Sequence, residues 1–127
     1  MKILDKEVEF DFFDAEQMEI YEKEAELAKQ ELNKLDIMKM KQSEFIKSVC
    51  EIIEKCFKNV LGIDASKEIF NGKKNFRLCI KAFKDFAKAR NEQTTSVEQE
   101  AKEFLKDVEN INEEYKPNRA TRRSQKW

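Results

Sequence analysis

The chain has 127 residues, of which 40% are hydrophobic and 40% charged, and a formal net charge of -1. That length fits one domain with a modest core, and the charged share is well above the usual ~25%. No run of about 18 apolar residues is present, which excludes a membrane-spanning helix, and the complete lack of histidine removes the commonest general base and metal ligand.

Residues 7–12 alternate, with Val8, Phe10 and Phe12 on one side and Glu7, Glu9 and Asp11 on the other. A period of two marks a half-buried strand. Ile3 and Leu4 are the expected partner strand, with Asp5 and Lys6 at the turn. The result is a short hairpin over 2–12, too small to stand alone in water. The acidic, alternating start does not read as a signal peptide.

Asp14 is the expected N-cap of the first helix, and Gln17 stands three residues on, completing a capping box. The helix is expected over about 15–38. Its apolar residues Met18, Tyr21, Ala25, Ala28, Leu32 and Leu35 step by 3, 4, 3, 4, 3, a narrow heptad seam. The opposite face carries Glu and Lys.

Ser43 is the expected cap of a second helix over 44–61, ending before Gly62. Its stripe of Phe45, Ile46, Val49, Ile52, Ile53, Cys56, Phe57, Val60 and Leu61 is broad, which places it in the core. Asp64 starts a short helix over 65–71, ending at Asn71-Gly72. Asn75 caps a further helix over 76–115, with Phe76, Cys79, Ile80, Phe83, Phe86 and Ala87 inward. Thr94, Thr95 and Ser96 either cap a new helix there or lie within one continuous helix. Beyond them Val97, Ala101, Phe104, Val108, Ile111 and Tyr115 step by 4, 3, 4, 3, 4, a second heptad seam. Pro117 ends it.

The expected architecture is therefore mainly α: one helical domain over 1–116, with long amphipathic helices, a short N-terminal β-hairpin and a basic, flexible tail over 117–127. The stretch from Lys116 to Trp127 holds five of the 25 basic residues and no acid, so the rest of the chain sets 20 bases against 26 acids. Two glycines, Gly62 and Gly72, are too few and too far apart for a phosphate loop. Three cysteines at irregular spacing (Cys50, Cys56 and Cys79) form no disulfide framework and no CxxC pair, and they fall on inward faces. The chain offers no arrangement for nucleophilic catalysis through histidine. We expect no enzyme activity, no cofactor and no metal, and a cytosolic protein that acts by binding other proteins.

Both seams have two readings. They pair with each other over the core, or at least one is offered to a partner helix. The residues that carry partner binding on the second reading are Met18, Tyr21, Leu32, Phe104, Val108 and Ile111. The tail likewise serves to keep an assembly soluble, to touch an acidic protein, or to bind nucleic acid. The acidic body and the lack of interleaved aromatic residues weigh against nucleic acid.

Three segments carry a family resemblance. They are the start Val8-Glu-Phe-Asp-Phe-Phe-Asp-Ala-Glu16, the middle Ile69-Phe-Asn-Gly72 with Asn75-Phe-Arg-Leu-Cys-Ile-Lys-Ala-Phe83, and the end Tyr115-Lys-Pro-Asn-Arg-Ala-Thr-Arg-Arg123. Together they resemble small proteins of tail gene clusters in phages and prophages of Gram-positive bacteria, the phage tail assembly chaperones. The resemblance implies a helical protein of the bacterial host cytoplasm. It implies a tape-measure protein as partner, with tail tube protein as a second, and it assigns Asn118, Arg119, Arg122 and Arg123 to the tail motif. With two apolar seams we also expect a homo-oligomer. Two other functions stay open: a structural tail component retained in the particle, and a small nucleic-acid-binding regulator.

Overall fold

The hairpin forms first in chain order, and it is shorter than its sequence pattern. The computed structural model describes residues 1–114, with side chains described through Asn110. Strand β1 (Lys2–Ile3) pairs antiparallel with β2 (Lys6–Glu7), Lys2 opposite Glu7 and Ile3 opposite Lys6. The turn is Leu4-Asp5, one residue earlier than the sequence pattern suggests. Both residues have positive φ, 51° and 65°, which matches the right-handed twist of a two-residue hairpin. The alternation from Val8 to Phe12 does not continue the ladder. The strand pairing covers Lys2–Ile3 and Lys6–Glu7, and beyond it the Val8 N–H donates to Met1 O at 2.8 Å. The side-chain pattern survives: Val8 and Phe12 are buried, and Glu7, Glu9 and Asp11 are exposed.

Helix α1 (Ala15–Asn33) starts at Asp14, whose side chain accepts the Gln17 N–H at 3.0 Å. The capping box closes differently from expectation. Gln17 Oε1 accepts from the Asp11 N–H at 3.1 Å, three residues upstream of the cap, and so fixes the approach to the helix. The helix ends at Asn33, short of the expected 38. The Lys34 and Leu35 N–H groups turn back to Glu31 and Leu32 carbonyls, tightening the last turn. Asp36 Oδ1 then accepts the Met38 N–H at 2.9 Å, an Asx turn that leads into the next helix.

Helix α2 (Gln42–Leu61) begins after Lys41 with no side-chain cap, so Ser43 lies inside the first turn instead of before it. The helix is held by its broad apolar stripe: Val49, Cys50, Ile53, Cys56 and Phe57 are buried. Gly62, at φ 98°, separates it from α3 (Ile63–Phe70), which ends on Asn71 in the left-handed region. Ser66, Ile69 and Phe70 of α3 are buried. Asn75 caps the last helix as expected, its Oδ1 accepting the Leu78 N–H at 3.0 Å. Helix α4 (Phe76–Glu114) then runs without a break through 94–96.

The chain divides into two units, one through Gln93 and one from Thr94. The sequence pattern drew one domain over 1–116. The division falls where apolar burial stops: Cys79, Ala82 and Phe86 are buried and Ala89 packs against them, whereas Val97 is largely exposed. In the first unit, Ile3, Val8, Phe12, Val49, Cys50, Ile53, Phe57, Ile69, Phe70, Cys79, Ala82 and Phe86 form one core. Aromatic rings tie its elements together. Phe86 meets Tyr21 at 4.9 Å, Phe57 at 5.1 Å and Phe10 at 5.7 Å between ring centroids. Such edge-to-face pairs add about 0.5–1.5 kcal/mol each beyond their area burial. Lys6 holds the hairpin to α3 by donating to the carbonyls of Glu68 and Ile69, where the helix C-terminus is negative. Phe76, expected inward, is partly exposed and leans on Phe45 at 6.1 Å.

Candidate docking faces

The two heptad seams end up in different circumstances. On α1, Ala28 is buried and Met18, Tyr21 and Leu32 are partly buried against the core, as is Leu35 just beyond the helix end. Tyr21 is packed among Phe10, Phe12 and Phe86. Burial pushes its hydroxyl pKa up, while the nearby Arg90 charge pulls the other way. The polar margin of this seam joins α2: Asn59 Nδ2 donates to Glu24 at 3.1 Å, and Lys55 pairs with Glu31 at 3.7 Å. The chain's own core thus occupies the face that holds Met18, Tyr21 and Leu32.

On α4 the seam beyond Thr94 is open. Phe104 is 65% exposed and Val97 39%, Ala101 is exposed, and Val108 is half-buried. Leu105, absent from the 4-3 spacing, is 61% exposed and widens the stripe by one column. Its position directly after Phe104 was the available signal. The side chain of Ile111 and the tail residues Asn118, Arg119, Arg122 and Arg123 lie outside the described residues.

Sequence reasoning also missed a second apolar line along α1 and just before it. Phe13, Ile20 and Leu27 are 53%, 45% and 42% exposed, each seven residues from the next. Seven residues are close to two helical turns, so Ile20 and Leu27 share one face of α1, roughly opposite Met18 and Ala25, while Phe13 precedes the N-cap. The heptad count that found the inner seam finds this line too, once it is applied to the polar face. Shallow grooves also lie beside the inner seam of α1. One of about 590 Å³ lies between α1 and α4, lined by Tyr21, Ala25, Phe83, Ala87 and Arg90 together with Glu22 and Glu26.

The cysteines take no part in a site. Cys50, Cys56 and Cys79 are free and buried. Burial raises the Cys56 thiol to about 12, with a further push from Glu24. Cys79 is raised to about 12 by burial and by its hydrogen bond to Cys50. Thiols held this firmly in the protonated form are poor nucleophiles and poor metal ligands. Among the described residues no group of three or more Cys, Asp or Glu is placed to hold a metal ion. No described helix is long and apolar enough to cross a membrane.

Fold and surface together define a mainly α protein with a short N-terminal hairpin, a packed aromatic core and apolar helix faces left open. The chain belongs to the Family of unknown function (DUF6673), whose model matches residues 4–126. No curated protein and no solved structure matches it.

Proposed function

We propose that the protein is a phage tail assembly chaperone, a non-enzymatic helix-binding protein of the bacterial host cytoplasm. Its client is the tape-measure protein, and its release accompanies assembly of tail tube protein around that client. The observation that carries this reading is the open apolar stripe of α4, with Phe104 and Leu105 more than half exposed. An apolar stripe of this kind on a monomer marks a protein interaction site. A single helical stripe is the natural complement of another amphipathic helix. The resemblance of three segments to the tail chaperones adds support.

The stripe suits a transient client. It spans few large side chains, and association costs several kcal/mol of lost freedom before any contact is repaid. The resulting affinity is modest, so tube protein can displace it. The test is co-purification from cells that express the whole tail cluster, followed by mass spectrometry of finished particles. A chaperone is recovered with tape-measure protein and is missing from the particles. Stoichiometric recovery in finished tails would make it a structural component instead.

A further inference from the structure

The residues beside the open stripe specify what kind of helix it takes. In the heptad register, Val97 and Phe104 occupy one seam column and Ala101 and Val108 the other. The positions that border such a seam face the partner's borders and set which partner fits. Here they are Glu98, Glu100, Leu105 and Asp107, all exposed. The nearby lysines, Lys102 and Lys106, fall on the outward side of the helix, away from the seam. The borders are therefore acidic or apolar and include no base among the described residues.

A second copy of the stripe makes a poor partner for it. Two antiparallel copies set Glu100 against Asp107 along one border and gain no ion pair from Glu98 and Leu105 along the other, and two parallel copies gain no ion pair either. We propose that this stripe, Val97 to Val108, docks an amphipathic helix whose own apolar seam is bordered by Lys or Arg. This rests on the helix-binding reading and adds the charge of the client surface. The acids select the client as well as hold it, because like charges along an acidic helix repel. Leu105, at a border position, extends the apolar contact on one side and sets which side of the client helix faces it.

The full chain and two synthetic helical peptides test this. Both peptides carry the same Leu/Ile seam; one has Lys at every border position and the other Glu. Binding by fluorescence anisotropy should favour the Lys peptide by about tenfold or more at low salt, given three attractive pairs against three repulsive ones. The gap should narrow as salt rises. The triple change Glu98→Lys, Glu100→Lys, Asp107→Lys should reverse the preference, with an unchanged melting curve as the control for folding. Equal binding of both peptides to the unaltered chain overturns the proposal, and so does binding of neither. A dimer that Phe104→Glu dissolves overturns it too, since the stripe would then belong to a second copy. These outcomes do not depend on the particle analysis, so the charge rule and the chaperone reading fail separately.

Discussion

The Leu4 backbone N–H donates to Asp85 Oδ2 at 3.0 Å, across 81 residues of chain. Leu4 holds a positive φ of 51°, an uncommon conformation for a bulky residue, and the bond helps keep it there. It also fixes the hairpin turn to α4, which lets Ile3, fully buried, reach the core. Asp85→Ala should lower stability by about 1.5–3 kcal/mol, the range for a hydrogen bond to a charged group. Asp85→Asn keeps an acceptor and should recover part of the loss. Urea unfolding curves of the three proteins decide it. Identical midpoints would mean that the turn is held by apolar packing alone.

The start of α1 gives a second measurement. Asp14→Ala removes the only side-chain acceptor shown for the Gln17 N–H and should cost about 1 kcal/mol. Gln17→Ala frees the Asp11 N–H, an exposed group that water can satisfy, so its cost should be smaller. The reverse order of thermal midpoints would show that the link to Asp11, and not the cap, anchors this helix.

These local features separate what the sequence makes legible from what it hides. Asp14 and Asn75 were readable because a short acceptor before an apolar run has few other uses, and both cap as expected. Phe57, Cys79 and Phe86 were readable as core from helical spacing alone. The extent of the hairpin was not, because alternation tells which way a side chain faces and not whether a partner backbone lies alongside. Val8 and Phe12 face inward without a ladder. The same gap explains the seams. Both have heptad spacing, yet Tyr21 is covered and Phe104 is not, since spacing defines a face and only the tertiary fold decides what covers it.

The buried thiols predict a pH dependence of definite sign. An ordinary cysteine titrates near 8.5, whereas Cys56 and Cys79 are pushed up to about 12 in the folded chain. The folded state therefore keeps protons that the unfolded state gives up. This contribution is fully present below about pH 8.5 and is lost as the pH climbs from there toward 12. The limiting slope is about 1.4 kcal/mol per pH unit for each thiol. Urea midpoints should fall steadily between about pH 8.5 and 10.5, and less steeply in Cys56→Ala. The native thiols should also resist a disulfide reagent at pH 8 and react fully once urea is added. A rapid reaction of any of them in the folded protein would contradict the burial of these side chains.

The last prediction separates folding from docking. Phe104 and Leu105 are 65% and 61% exposed, so replacing them removes little buried area. Glu is also at least as good a helix former as Phe, which leaves α4 itself intact. Phe104→Glu, Leu105→Glu should therefore leave the thermal midpoint within a degree or two of the parent. Phe86→Ala is the contrast. That ring is buried against Tyr21, Phe57 and Phe10, and its loss should cost about 3–5 kcal/mol. That is a large part of the 5–15 kcal/mol typical of a whole domain, so Phe86→Ala should melt far lower or fail to fold. For binding the order reverses. In the double variant Glu at 104 puts charge into the middle of the seam, where a docked helix would have to bury it; this outweighs the extra border acid at 105, and binding of the Lys-bordered peptide should fall below detection. A double variant that is folded and still binds that peptide would move the docking face elsewhere. A double variant that melts as low as Phe86→Ala would show that the stripe is covered in the free protein, and then it cannot be the client site.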